Sequence, residues 1–220
     1  MKFSIITPSH KYQSYFDELY ISITQQTYEN WEWIVYLNGE FKKSQLSKEI
    51  LNDKRVKIYT NYDGNTNIGY VKNKAFSLGT GDVLVEMDHD DILTPDCLTE
   101  LKIAFEENPE CGFVYSDNAT YHMEDKFVPY SPAFGWTYSE YDWNDKKLIA
   151  MNTFEPSSHS LSYIWYAPDH VRAWRKNTYE EIGSHNVELS MCDDHELMIR
   201  TYLVTKFYHI PKVLYIYRIT

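Results

Sequence analysis

The sequence predicts an α/β domain with a mixed, mainly parallel central sheet flanked by helices, and three observations support this. Short apolar runs alternate with segments of helical spacing through the first half of the chain, which is typical of βαβ units. The 220 residues contain 43% apolar side chains, enough for one sizeable core. An acidic cluster directly follows a predicted strand, where open α/β sheets bind ligands. We therefore expect residues 1–220 to form a single domain.

The first half of the chain alternates predicted strands with predicted helices. Short buried runs predict strands at 3–7, 31–37, 56–59 and 83–87. Apolar residues at helical spacing predict helices around 16–23 and within 67–81. A third helix is predicted to begin at Thr94-Pro95, with threonine as the N-cap and proline at the first helical position, and to stop at Asn108-Pro109.

The second half of the chain is less regular. An apolar run predicts a strand at 111–116. Residues 117–166 are rich in Tyr, Trp, Ser and Pro and are predicted to form a long substrate-facing loop region. Helices are predicted at 170–182, ended by Gly183, and at about 194–204.

The composition excludes several kinds of partner. The formal charge of −11 argues against nucleic acid, because phosphate backbones are bound by stripes of Lys and Arg and none occurs here. No run of about eighteen apolar residues predicts a membrane-spanning segment. Cys97, Cys111 and Cys192 are far apart and odd in number, which indicates reduced, packed thiols of a cytoplasmic protein.

The acidic cluster Asp88-His89-Asp90-Asp91 follows the predicted strand at 83–87. Two carboxylates separated by one residue in a loop are able to face one divalent ion, and hard oxygen ligands favour Mg²⁺ or Mn²⁺. Such an ion would neutralise the charge that grows on a departing diphosphate. A solvated acidic turn that caps the next helix is the alternative, since aspartate is favoured near a helix N-terminus.

Several motifs accompany this cluster in a defined order. They are Ile6-Thr7-Pro8, Gln26-Thr27-Tyr28-Glu29-Asn30-Trp31-Glu32, Ile34-Val35, Asn67-Ile68-Gly69, Lys72-Asn73-Lys74-Ala75 and Gly79-Thr80-Gly81-Asp82. In their order and spacing the chain resembles the inverting family-2 glycosyltransferases of the GT-A fold, over residues 3–218. The resemblance implies a metal-dependent enzyme that moves a sugar from a nucleotide-diphosphate donor to a carbohydrate or glycan acceptor. It further implies that residues 1–117 bind the donor and residues 118–220 the acceptor.

The resemblance also assigns roles around the Asp-X-Asp motif. Asp88 would contact the donor ribose or the metal, and Asp90 would be the principal metal ligand. Asp91 would be an orienting residue or a helix cap, and His89 would belong to the donor site. Lys72 matches a basic position near the donor, although an exposed helical lysine is the alternative.

One departure from the family concerns the nucleotide. The family commonly has an acidic pair at the end of the second strand, where an aspartate reads the uracil edge, but this chain has Leu37-Asn38. A leucine side chain accepts no hydrogen bond from a base. A UDP-sugar is therefore the default donor, with TDP- and GDP-sugars left open. The expected contacts on the nucleotide side are Thr7, Pro8, Tyr12 and Asn38.

A second acidic cluster, Asp193-Asp194, begins the last predicted helix. Inverting transfer needs a general base that takes the proton from the acceptor hydroxyl. The resemblance places Asp194 at the base position and Asp193 beside it. His195 is an alternative base because the ordinary pKa of histidine lies near neutrality, although its position matches a variable site of the family. The alternative without a catalytic role is that the two aspartates cap the helix.

Other candidates lie on the acceptor side. Trp174 is a candidate for stacking on a sugar ring, and Arg172 or Arg175 for holding a phosphate, with the core and surface ion pairs as the alternatives. In relatives a histidine after a Tyr-Arg pair supplies a metal ligand. Here Tyr217-Arg218 is followed by isoleucine and threonine, so that ligand is either absent or replaced by a histidine elsewhere or by water.

Two rival functions are left. A nucleotidyltransferase also uses carboxylate-bound Mg²⁺, but residues 7–14 contain no glycine for a nucleotide loop. An inactive sugar-binding module would explain the leucine at position 37 and the missing histidine, whereas the two retained acidic clusters favour an enzyme.

Overall fold

The structure, a computed structural model, describes residues 1–122, 129–164 and 167–219. The strands in these ranges are β1 Phe3–Ser9, β2 Trp31–Leu37, β3 Val56–Thr60, β4 Val83–Glu86, β5 Ile92–Leu93, β6 Cys111–His122, β7 Thr137–Trp143, β8 Lys146–Asn152, β9 Arg172–Arg175 and β10 Lys206–Ile219. The helices are α1 Tyr15–Thr24, α2 Lys48–Asn52, α3 Ile68–Ser77, α4 Cys97–Glu107, α5 Ser158–Tyr163, α6 Lys176–Glu181 and α7 Asp193–Val204.

One twisted sheet organises the chain, in the order β3-β2-β1-β4-β9-β6-β10-β5. Strands β3, β2, β1 and β4 are parallel to one another, and β10 is parallel to β6. Strand β9 runs antiparallel between β4 and β6, and the β7–β8 hairpin attaches to β6 through β8. The predicted mixed, mainly parallel α/β fold is confirmed, and the parallel strands bring their carboxyl ends to one edge.

Two apolar layers cover the faces of the sheet. On one face α1 and α4 pack on the strands, and Phe16 stacks on Trp33 with 5.2 Å between ring centroids. On the other face α3, α6 and α7 enclose a cluster that contains Phe76, Phe113 and Trp174. Burial of such rings from water is the main stabilising contribution, at about 25 cal/mol per Å² of apolar surface. Both faces are therefore closed, and the ligand site is left to the strand ends.

The predicted elements of the first half are confirmed, with one displaced helix start. Helix α3 begins after Asn67, whose side chain accepts a hydrogen bond from the amide of Gly69. Helix α4 begins at Cys97, so the prediction of Thr94 as its N-cap is wrong by two residues. Thr94 instead donates its backbone N–H to Leu214, because the chain pairs with the last strand before it turns into the helix.

The second half departs further from the prediction. The segment predicted as a loop contains the end of β6, the β7–β8 hairpin and α5; its residues 123–128 and 165–166 lie outside the described residues. The first part of the helix predicted at 170–182 is strand β9, and only α6 is helical. The hydrogen bonds that β4 and β6 offer on both sides of β9 outweigh its local helical spacing.

The three cysteines are free thiols, as predicted. Cys97 and Cys111 are buried, and burial raises the pKa of both thiols. Cys192 is exposed, so the prediction of a packed thiol is wrong there.

No helix in the described part of the chain has both the length and the apolar character needed to cross a membrane.

Candidate active site

The first acidic cluster forms the loop between β4 and β5. Asp91 is buried and accepts hydrogen bonds from the Tyr215 hydroxyl at 2.7 Å and from the backbone N–H of Arg218 at 2.7 Å. Burial, with the nearby Asp88 carboxylate, raises the pKa of Asp91 to about 8. Asp91 therefore ties the loop to β10, in keeping with an orienting residue, and the N-cap of α4 is Asp96.

Asp88 faces a histidine that arrives from the other half of the chain. Nε2 of His170 lies 3.3 Å from Oδ2 of Asp88, and its ring stacks on Tyr215 with 4.7 Å between ring centroids. Burial and Arg172 lower the pKa of His170, but the hydrogen bond to Asp88 and the negative charges of Asp88 and Asp169 together outweigh them and raise it to about 8. Sequence reasoning assigned no role to His170, because 81 residues lie between it and Asp88 and it falls in a segment predicted as helix.

A buried carboxylate that the sequence reasoning missed lies below this loop. Glu86, the last residue of β4, is 1% exposed. Its Oε1 lies 2.7 Å from Nζ of Lys72, and its Oε2 lies 3.3 Å from Nη1 of Arg172, its partner in the β4–β9 register. Burial alone would raise the pKa of Glu86, but Lys72 and Arg172 hold it well below the usual range. The signal available in the sequence was a glutamate inside an otherwise apolar strand.

The same two cations reach the second acidic cluster. Nζ of Lys72 lies 3.2 Å from Oδ2 of Asp193, and Nη1 of Arg172 lies 3.2 Å from Oδ2 of Asp194. The Lys72 side chain is only 12% exposed, so the alternative of an exposed helical lysine is wrong. Glu86 therefore anchors two cations, each of which positions one aspartate at the start of α7.

The two aspartates of the second cluster have different surroundings. Cys192 takes a left-handed conformation, with φ of 55°, and the helix starts directly after it. Asp193 is buried, and burial raises its pKa although Lys72 offsets part of this effect. Asp194 keeps 21% of its side chain exposed and accepts the backbone N–H of His195. Asp194 is thus the aspartate that remains open to a ligand.

A cavity of about 190 Å³ joins the two clusters. Its walls are Lys72, Asp88, Tyr130, Asp169, His170, Arg172, Asp194 and Tyr217. Asp90 lies in the adjoining loop, with its Oδ1 4.0 Å from Nδ1 of His89. Asp88, predicted for the donor side, and Asp194, predicted as the base, therefore face one space, although they are far apart in the sequence.

The residues predicted on the nucleotide side lie around the ends of β1 and β2. Thr7 is completely buried and its Oγ1 accepts a hydrogen bond from the indole of Trp33, so its prediction as a ligand contact is wrong. Asn38 is 7% exposed, and its Oδ1 accepts a hydrogen bond from Asn61. Pro8 is partly exposed.

Two aromatic side chains of this side border the same end of the sheet. Tyr12 is partly exposed, lies against Phe41 and donates its hydroxyl to Asp17. His89 packs edge-on against His10, with 5.6 Å between the ring centroids. Both remain accessible enough to contact a ligand.

Other candidates prove to be structural. Trp174 is 0% exposed and donates its indole N–H to Thr201, so it offers no face to a sugar and that interpretation is wrong. Arg175 donates to the backbone carbonyls of Phe105 and Cys111, so the phosphate-holding interpretation is wrong there too. Nδ1 of His195 has no hydrogen-bond partner, and the residue stays partly exposed.

Asp88 and Asp90, the two carboxylates predicted to hold a divalent cation, are both partly exposed in the loop 88–91. Within the described ranges, no three His, Cys, Asp or Glu side chains converge as a complete protein-only metal shell. Mg²⁺ and similar hard cations are commonly bound through one or two carboxylates together with substrate phosphates and water. The side chains of Asp88 and Asp90 keep 36% and 24% of their surface exposed, which fits that mode of binding.

Sequence comparisons find relatives among glycosyltransferases. The profile of glycosyl transferase family 2 matches residues 4–200. A glucosyl-dolichyl phosphate glucuronosyltransferase of Haloferax volcanii is 33% identical over 115 residues, which cover 50% of this chain and 36% of that protein. The O-antigen biosynthesis protein RfbC of Myxococcus xanthus is 24% identical over 222 residues, covering 96% of this chain and 15% of that protein. The chain spans well under half the length of these curated relatives.

Solved structures share the fold over the whole chain. A structure of S. aureus TarS in complex with UDP-GlcNAc has a TM-score of 0.74 at 18% identity, covering 100% of this chain and 59% of that one. The mannosyltransferase PcManGT of Pyrobaculum calidifontis, in complex with GDP-Man and Mn²⁺, has a TM-score of 0.65 at 13% identity, covering 98% of this chain and 56% of that one. At this identity the likeness establishes the fold alone.

Proposed function

The chain belongs to glycosyl transferase family 2, and we propose that it transfers a sugar from a nucleotide-diphosphate donor to a hydroxyl of a carbohydrate or glycan, with inversion. The observation that carries this proposal is the cavity shared by Asp88 and Asp194. A transferase of this type needs a donor site and a base on opposite sides of one reacting carbon. In this assignment residues 1–117 bind the donor and residues 118–220 the acceptor.

Asp194 is the general base in this proposal. A base must be able to reach the acceptor hydroxyl, and Asp194 combines an accessible carboxylate with a fixed position. Arg172 holds its Oδ2 at 3.2 Å, and the N–H of His195 holds its Oδ1 at 2.8 Å. The acceptor hydroxyl gives its proton to this carboxylate as its oxygen attacks the anomeric carbon and the nucleotide diphosphate departs. Asp193, buried against Lys72, is a positioning residue.

The donor diphosphate would lie beside the loop 88–91. Asp88 and Asp90 would hold Mn²⁺ or Mg²⁺, which supplies positive charge that stabilises the leaving diphosphate when bound. Lys72 and Arg172 line the same cavity and add positive charge there. Tyr12 and His89 border the expected nucleotide position.

A UDP-sugar is the default donor. TarS binds UDP-GlcNAc, whereas PcManGT binds GDP-Man, so relatives of this fold differ in their nucleotide. The chain has Leu37 where the family commonly reads uracil with an acid, which leaves TDP- and GDP-sugars as the further donors to test.

Donor hydrolysis tests the proposal without knowledge of the acceptor. We expect turnover of at least one nucleotide sugar from a UDP-, TDP- and GDP-sugar panel with Mn²⁺ or Mg²⁺, and its loss on chelation of the metal. Asp90→Ala should abolish turnover. The matched control is Glu196→Gln, which changes a carboxylate on α7 that pairs with Arg200 at 2.6 Å outside the cavity.

Two outcomes would contradict the proposal. No turnover of any donor, together with glycan binding, would identify an inactive sugar-binding module. Release of pyrophosphate from a nucleoside triphosphate and a sugar phosphate would identify a nucleotidyltransferase.

A further inference from the structure

A second cavity lies across β10 from the active-site cavity. Side chains of a strand alternate between its two faces. Tyr215 and Tyr217 of β10 face the ring of His170, whereas Ile216 and Arg218 line the second cavity. This cavity has a volume of about 250 Å³ and extends to the tip of the β7–β8 hairpin. We call it the hairpin pocket, defined by Glu18, Tyr121, Trp143, Lys146, Ile216 and Arg218.

Two aromatic rings form walls of the hairpin pocket. Trp143 is partly exposed and is held by stacking on Tyr141, with 6.4 Å between ring centroids and an interplanar angle of 19°. Tyr121 is partly exposed, and the Lys146 ammonium lies 4.3 Å from its ring centroid. Such rings offer flat apolar surface bordered by polar groups. The C–H face of a pyranose ring is the complementary surface.

Polar side chains of both signs line the rest of the pocket. Glu18 keeps 51% of its side chain exposed and lies 2.8 Å from Nη2 of Arg218. Lys146 is exposed at the hairpin tip. Of the three charged residues that line the pocket, Arg218 is paired with Glu18 and Lys146 lies outside that pair, so carboxylate and ammonium groups offer acceptors and donors to the hydroxyl groups of a sugar. Its volume is below the range of about 300–1,000 Å³ that is usual for drug-sized ligands, and it suits a single sugar ring.

The pocket is attached directly to the donor loop. Nε of Arg218 donates to the carbonyl of Asp90 at 2.8 Å, and its backbone N–H binds Asp91 at 2.7 Å. The guanidinium also lies 4.1 Å from the ring centroid of Tyr15. Arg218 is only 6% exposed in its side chain, so it is a fixed wall between the two sites.

We propose that the hairpin pocket binds one neutral pyranose unit of a glycan. If the protein acts as proposed above, this glycan is the acceptor chain. The sugar unit in the pocket is then remote from the hydroxyl that reacts. The identification of the glycan as the acceptor rests on the proposed function. Binding there would recognise a chain of sugars and not only its last unit.

The test compares saccharide binding by Trp143→Ala and by the unsubstituted protein. The probes are methyl glycosides of glucose, galactose, mannose and N-acetylglucosamine and their disaccharides, with inorganic phosphate as the anionic probe. Saturation-transfer NMR and tryptophan fluorescence report binding. We expect at least one neutral saccharide to bind and Trp143→Ala to weaken it about tenfold, because a stacking face is lost. Trp143→Phe keeps an aromatic face and should restore most of the affinity.

Tyr62→Ala provides the matched control, since Tyr62 is an aromatic side chain 90% exposed on another part of the surface. Equal binding by Trp143→Ala and the unsubstituted protein, binding of phosphate alone, or binding of no probe would each overturn the proposal. Donor hydrolysis by the unsubstituted protein is measured in parallel. Its absence contradicts the proposed function, whereas the saccharide measurement still decides whether the pocket binds a sugar.

Discussion

The loop 88–91 and the first turn of α7 each contain a pair of aspartates. In each pair the two members have different surroundings. In the loop, Asp91 is buried against β10 while Asp88 faces the cavity. In α7, Asp193 is buried against Lys72 while Asp194 faces the cavity. Each region therefore holds one buried aspartate that is engaged by neighbouring groups and one that lines the cavity. The residue type is the same in both pairs although the spacing differs, and burial separates the two members of each pair.

Separate replacement of each aspartate of α7 by asparagine should show the largest difference in turnover between two variants. Asp194→Asn should lower turnover by about 10²–10⁴-fold, because an amide cannot take the proton of the acceptor. Its free energy of unfolding should change little, since the side chain is partly exposed. Steady-state kinetics and denaturant unfolding of the two variants measure both quantities. Equal loss of activity and stability in Asp194→Asn and Asp193→Asn would remove the distinction between them.

Replacement of Glu86 tests the buried ion-pair network that lies between the two regions. Glu86→Gln leaves Lys72 and Arg172 without their common buried counter-charge, and it should cost about 3–5 kcal/mol in the free energy of unfolding. Urea unfolding measures the effect. In the control Glu196→Gln, loss of a partly exposed pair should cost about 1 kcal/mol or less. A similar small cost for both variants would show that the buried network does not stabilise the fold.

Asp91 should matter more for stability than the cavity-facing Asp88. Asp91→Ala removes the acceptor of two hydrogen bonds that join the loop to β10, and it should cost about 1–3 kcal/mol. Asp88→Ala should cost less in thermal or urea unfolding, because its side chain is 36% exposed. The reverse order would contradict the assignment of the buried member of this pair.

A further expected effect concerns acid stability near Asp193. Burial, and then Lys72, lowers the pKa of His185 to about 3. The unfolded chain therefore binds a proton at this histidine below its ordinary pKa of about 6.5, while the folded chain does not. Stability from His185 is present above pH 6.5 and is lost as the pH falls toward 3. Urea unfolding from pH 7 to pH 4 should show a shallower decline for His185→Asn, whereas parallel curves would show that His185 does not titrate differently in the two states.

Much of the fold followed from local pattern in the first half of the chain. Strands β1 and β2 are buried on both faces and are predicted from mainly apolar runs, as is usual for parallel strands. Strand β7 has mostly exposed or half-exposed residues, so it carried no apolar signal. Strand β9 is four residues long and exists because β4 and β6 pair with it, which no local pattern records. The missed elements therefore include both a strand without an apolar run and a strand that depends on distant partners.

The features of the candidate site also divide into those that the sequence predicted and those that it did not. The sequence by itself determined that aspartates follow β4 and begin α7, and the resemblance assigned their roles. Only the tertiary structure decided which aspartate of each pair is buried, that Glu86 holds Lys72 and Arg172 together, and that Trp174 belongs to the core. The physical reason is that sequence spacing determines which side chains share a strand or helix face, whereas burial and ion pairing depend on segments that are distant in sequence and meet only when the sheet is assembled.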